Sequence, residues 1–140
     1  MAPSLHITLQ PLPDTYAIAR LAPASALPAW ADGPGFVSIT RTADELSIVC
    51  LDHRVPAGTQ ADRGWQALRF VGPFAFGATG IILSVIRPLS ENGIGVFVVS
   101  TFDGDHLLVQ QADSGRAMAL LAGAGHVVLP CPAAPGAATA

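Results

Sequence analysis

The chain has 140 residues, 51% of them hydrophobic and only 12% charged, with a formal net charge of −3. Its seven basic residues are all arginines, scattered from Arg20 to Arg116 with no two adjacent. A net-negative chain without clustered cations does not neutralise phosphates, which excludes nucleic acid, and no apolar run approaches the roughly 20 residues that cross a bilayer.

Leu5 to Leu9 reads as a first strand and Tyr16 to Leu21 as a second, with Pro11 and Pro13 between them suited to a turn because they cannot continue a ladder. Ser25 to Trp30 reads as a short helix with Ser25 as its N-cap, and Gly33-Pro34-Gly35 then breaks the chain. Phe36 to Thr42 and Glu45 to Leu51 alternate as the two arms of a hairpin around Thr42-Ala43-Asp44. Asp52 to Gly58 is an irregular turn, and Trp65 to Val71 is a further strand stopped by Gly72-Pro73.

The stretch from Thr79 to Gln110 carries the strongest pattern. Ile82, Val85, Ile86 and Leu89 recur at the spacing of one helix face, and Ser90-Glu91-Asn92-Gly93 closes that helix with Gly93 free to take the left-handed cap. Two β-rich runs follow, Ile94 to Thr101 and Asp105 to Gln110, joined by a turn holding Asp103-Gly104. A second helix from about Ser114 to Ala122 takes Asp113 as N-cap and Ala117, Leu120 and Leu121 as its apolar face. Val127 to Leu129 is the last strand, and Pro130 to Ala140 has almost nothing to pack with and reads as a disordered tail. From Trp65 the order is therefore β-α-β-β-α-β, the ferredoxin-like arrangement, preceded by a shorter β-β-α-β-β lobe.

Two cysteines are too few for a disulfide scaffold; Cys50 sits in an apolar strand pattern as a small core residue, and Cys131 lies between Pro130 and Pro132. The four histidines, His6, His53, His106 and His126, show no metal-pair spacing. His106 follows Asp105 and is expected to face the opposite side of its strand, solvated. Asp103 and Asp105 share one turn, but two carboxylates without a third ligand make a weak metal site, and no metal or cofactor is expected. The serines lack a nucleophile-elbow setting, and Trp30 and Trp65 read as core or lobe-interface residues. The N-terminal MAPSLHITLQPLP lacks the basic start and apolar stretch of a signal peptide, so a cytoplasmic location is expected. The scarcity of charge implies apolar surface covered in an oligomer.

Four segments, TYAIARL with LPAWA after it, FVSITRTADELSIVC, GWQALRFVGP, and TGI…PLSENGI…STFDGDHLLV, together resemble the ACT family of small-molecule regulatory domains. The resemblance covers about Leu5 to Leu129 and is closest to the group with paired ACT lobes, which includes eukaryotic cytosolic arginine sensors and short bacterial homologues. It implies an α+β fold of tandem ferredoxin-like lobes, residues 1–63 and 64–129, with 130–140 as tail. It also implies a sensor with no chemistry, binding an amino acid where second lobes meet across a homodimer. Carried over, the family's site places Thr79, Gly80 and Ile81 on one side of the ligand and Thr101, Phe102, Asp103, Gly104 and Asp105 on the other. Arginine-binding members have an acidic residue two positions before the helix glycine; here that position is Ala78, so a guanidinium would lose a charged partner.

The residues themselves suit such a site. A helix beginning at Gly80 offers unpaired N–H groups and a positive dipole end to a carboxylate. Gly80 has no Cβ, so a ligand approaches the backbone closely, and Asp105 offers an anion to an α-ammonium group. Two other readings stand beside the sensor: a ligand-free protein-interaction module with a degenerate pocket and an unidentified protein partner, and a small enzyme using Asp105 and His106.

Overall fold

The computed structural model describes residues 5–72, 74 and 78–132. The chain divides into two compact units, Asp14–Trp65 and the combination of Met1–Pro13 with Gln66–Ala140. Residues 133–140, most of the expected tail, lie outside the described residues.

In the Asp14–Trp65 unit, β2 (Tyr16–Leu21), β3 (Ser38–Arg41) and β4 (Leu46–Leu51) pair antiparallel in the order β3-β4-β2. The first half of β5 (Ala61–Phe70) adds to β2, with Tyr16 opposite Trp65 and Ile18 opposite Asp62, so one extra residue bulges on β5. Gly64 carries that bulge at φ +76°. Asp52 holds it from behind: its Oδ2 accepts from the Gly64 N–H at 2.9 Å and its Oδ1 from the Arg63 guanidinium at 2.8 Å. Ala17, Ala19, Leu46, Ile48 and Cys50 bury one face under Ala31 and Val55.

The helix expected over Ser25 to Trp30 is absent. Pro28 sits inside that stretch with no N–H to donate. The chain instead makes successive turns, Ser25 N–H to Ala22 O and Ala31 N–H to Pro28 O. The Arg54 guanidinium donates to the carbonyls of Trp30, Ala31 and Pro34, which holds this stretch as a loop.

The other unit holds both helices. Its strands run β8 (Val127–Val128), β1 (Thr8–Pro11), the second half of β5, β7 (Asp105–Gln110) and β6 (Val96–Ser100). β1 pairs antiparallel with β5 (Leu9 opposite Phe70) and parallel with β8 (Thr8 opposite Val127). Thus the first and last strands of the β5-α1-β6-β7-α2-β8 run are not neighbours; a strand from the N-terminal segment lies between them. Pro11, expected in a turn, ends β1 instead. That is tolerated because β8 pairs only Thr8 and Leu9 and leaves one side of Pro11 without a ladder.

α1 (Ile81–Ser90) and α2 (Ser114–Gly123) cover one face of this sheet. Val85 and Leu89 of α1 and Ala117 and Leu121 of α2 bury against Ile7, Leu9, Leu68, Phe70, Leu107 and Val109, while Ile81 and Ile86 pack at the margin. Gly93 ends α1 at φ +76°, and the Ile94 N–H returns to Leu89 O at 3.0 Å. Asp113 does occupy the N-cap of α2, but its side chain makes no cap hydrogen bond; its carboxylate lies 3.8 Å from Arg116. Cys50 is fully buried, and burial pushes its thiol pKa up.

Candidate functional site

α1 begins at a residue that only glycine occupies comfortably. Gly80 is the N-cap at φ +80°, and no side chain caps the first turn. The Gly80 carbonyl accepts the first helical bond, from the Ser84 N–H at 2.9 Å. The N–H groups of Ile81, Ile82 and Leu83 have no intrahelical acceptor, and the positive end of the helix dipole lies with them.

The same helix carries a proline, and its consequence is repaired from outside. Pro88 lacks the N–H that would bond the carbonyl of Ser84, four residues earlier. His126, 5% exposed, supplies a donor: its Nε2 lies 2.8 Å from Ser84 O while its Nδ1 accepts the Ile7 N–H at 3.0 Å. These two bonds require the Nε2–H tautomer. One ring therefore ties α1 to the segment leading into β1, just behind the open helix start.

Facing α1 is the β6–β7 turn. The Thr101 N–H donates to Gly104 O at 2.7 Å and the Thr101 hydroxyl to the same oxygen at 3.0 Å, closing the loop on itself. Ser100 pairs with Asp105 across the hairpin, and its hydroxyl donates to Asp105 Oδ1 at 2.6 Å. That bond fixes the carboxylate and occupies one of its oxygens.

Between the helix start and the turn lies a cavity of about 370 Å³. Of the residues the sequence points to, Gly80, Ile81, Thr101, Phe102, Asp103, Gly104 and Asp105 line it, and Thr79 does not. Among the described residues, Phe74, Ala78, Ile82, Leu83 and Ser100 also line it. Ile82 shares the helical spacing of Val85 and Leu89, but those two fill the core and Ile82 lines the cavity. Ser100 was legible from the hairpin register, since the residue opposite Asp105 shares its face. Leu83 is 56% exposed and Phe102 80% exposed, giving the cavity an apolar rim.

Arg69, His106, Gly72 and Phe70 line a second, smaller cavity of about 190 Å³, which shares Thr101, Asp103, Gly104 and Asp105 with the first. His106, expected to be solvated, is half-buried here. Burial first, and then the Arg69 charge, lower its pKa from the usual histidine value, while Asp105 opposes them. Among the described residues no group of three His, Cys, Asp or Glu side chains is placed to hold a metal ion, and no helix is long and apolar enough to cross a membrane.

A family profile described as ACT domain matches residues 60–123, and a profile of an N-terminal domain matches residues 14–58. The human protein CASTOR3P is 34% identical over 91 residues, a match spanning 56% of this chain and 56% of the human protein. The chain thus aligns with just over half the length of that curated relative. The crystal structure of protein Atu0741 from Agobacterium tumefaciens is 62% identical, with a TM-score of 0.86 over 91% of this chain and 94% of that one. The regulatory subunit of aspartate kinase from Thermus flavus shares the fold at 8% identity, with a TM-score of 0.58 over 86% of this chain and 97% of that one.

Proposed function

This chain carries an ACT domain over residues 60–123, and on that premise we propose that it is a regulatory sensor of the paired-lobe ACT group that binds a free amino acid and catalyses nothing. The observation that carries the reading is the pairing of an uncapped helix start with a fixed carboxylate across one cavity. The open N–H groups of Ile81 to Leu83 receive the ligand's α-carboxylate. Asp105, held by Ser100, receives its α-ammonium group. Thr79, outside the lining, acts only by shaping the approach to Gly80.

The site is completed by a second copy. The exposed Leu83 and Phe102 at the rim are the surfaces such a partner covers, so that ligand is enclosed between second lobes of a homodimer. A ligand held there favours one subunit arrangement by its differential affinity, and a downstream protein reads that arrangement. A cytoplasmic location belongs to the same proposal, with the lobes drawn along the two compact units, so that Thr8–Pro11 belongs to the second lobe and not to a first lobe of 1–63.

The test is a thermal-shift screen of the twenty amino acids near millimolar, with Asp105→Ala beside the native chain and light scattering for the oligomeric state. A ligand present at 100 times its Kd stabilises by about 2.7 kcal/mol, which melting resolves easily. A rise for a few related amino acids, lost in Asp105→Ala, supports the sensor. The exposed Phe102 favours a second reading, an interaction module whose apolar rim docks a protein. Absence of any shift, with a dimer intact, turns the assignment to it.

A further inference from the structure

We infer that the ligand of this cavity is an amino acid with an uncharged, apolar side chain of leucine size or larger, an inference that rests on the sensor reading above and narrows it. The helix start and Asp105 account for the two backbone charges of an amino acid. What remains for its side chain is the wall made by Phe74, Ala78, Ile82, Leu83 and Phe102. Among the described residues the only charged groups in the lining are Asp103 and Asp105.

An aspartate or glutamate ligand would bring a second carboxylate to a lining whose charges are both negative. Arg69, the neighbouring cation, lines the other cavity and not this one. A lysine or arginine ligand would press its charged head against hydrocarbon, which costs desolvation without a buried partner. The carboxylate left over, Asp103, is exposed at the turn, where an ion pair gains little. Glycine and alanine would leave the wall wet, whereas each methylene a larger ligand buries is worth about four-fold in affinity.

Titration calorimetry on the full chain with L-leucine, L-phenylalanine, L-alanine, L-glutamate and L-arginine tests this directly. The expected order has leucine or phenylalanine binding at least about ten-fold tighter than alanine, with glutamate and arginine weaker still. Leu83→Ser is the second arm. Leu83 is exposed, so the fold survives its loss, and leucine affinity should fall further than alanine affinity, lowering the leucine-to-alanine ratio about five-fold. If arginine or glutamate binds tighter than leucine, this inference is overturned and the sensor stands. An unchanged leucine-to-alanine ratio in Leu83→Ser also overturns it. If none of the twenty amino acids binds, the sensor reading itself fails, and this one with it.

Discussion

The two units cover a sheet face with different material, and the difference decides where backbone donors are left open. In Asp14–Trp65 the cover is an irregular loop, with Ala31 buried and Trp30 and Val37 packed beside it. Its carbonyls are consumed by the Arg54 guanidinium. In the other unit the cover is two helices, and the start of α1 leaves donors without acceptors beside a fixed carboxylate. A loop stapled by arginine satisfies its own polar groups. A helix start does not, and there a cavity opens.

Removing the staple should break this comparison most severely. Arg54→Ala is expected to cost about 3 kcal/mol in urea unfolding, because three carbonyls lose a charged donor at once. Arg54→Lys should recover little of it, since an ammonium lacks the planar fork. The corresponding staple behind α1 is His126. His126→Ala should cost about 2 kcal/mol by stranding the Ile7 N–H and the Ser84 carbonyl. Combining it with Pro88→Ala should reduce that cost by about 1 kcal/mol, because residue 88 then offers its own N–H to Ser84. A strictly additive double mutant would show that His126 is not replacing the bond the proline removes.

Gly80→Ala addresses the open helix start. At φ +80° a Cβ is strained by about 1 kcal/mol, and the nearest atom it meets, Leu5 Cδ1 at 3.4 Å, is ordinary contact. Stability should therefore fall modestly while the ligand-induced melting shift falls much further. Equal loss in both would assign Gly80 to the fold alone.

The smallest effect concerns His106, beside the cavity. Its folded pKa lies below the unfolded value, so the unfolded chain binds this proton more readily. The related stability is whole above pH about 6.5 and declines as pH falls through the lower folded value. Chemical denaturation between pH 8 and 5 should show that slope, and His106→Asn should flatten it. An unaltered profile in the variant would move the cause to another group.

Much of the helical unit was legible from periodicity and turn chemistry. Val85 and Leu89 repeat at the helical interval and do fill the core, and Gly93 does take the left-handed cap. The hairpin register likewise brings Ser100 opposite Asp105. The stretch from Ser25 to Trp30 misled for a local reason: Ser25 read as an N-cap, and Pro28 with the remote Arg54 decided otherwise. Helical spacing groups Ile82 with Val85 and Leu89 but does not say which end of an apolar stripe meets the core and which meets a cavity.

The sequence by itself determined the alternation of strands and helices, the left-handed glycines and the residue types on each side of the site, because these follow from contacts within a few positions. Tertiary structure decided that Thr8 to Pro11 lies between β5 and β8, that His126 answers the proline of α1, and that Leu83 and Ile82 wall a cavity. Those facts depend on partners up to 119 positions apart, and no local pattern encodes which of many compatible partners a strand edge or a lone carbonyl will meet.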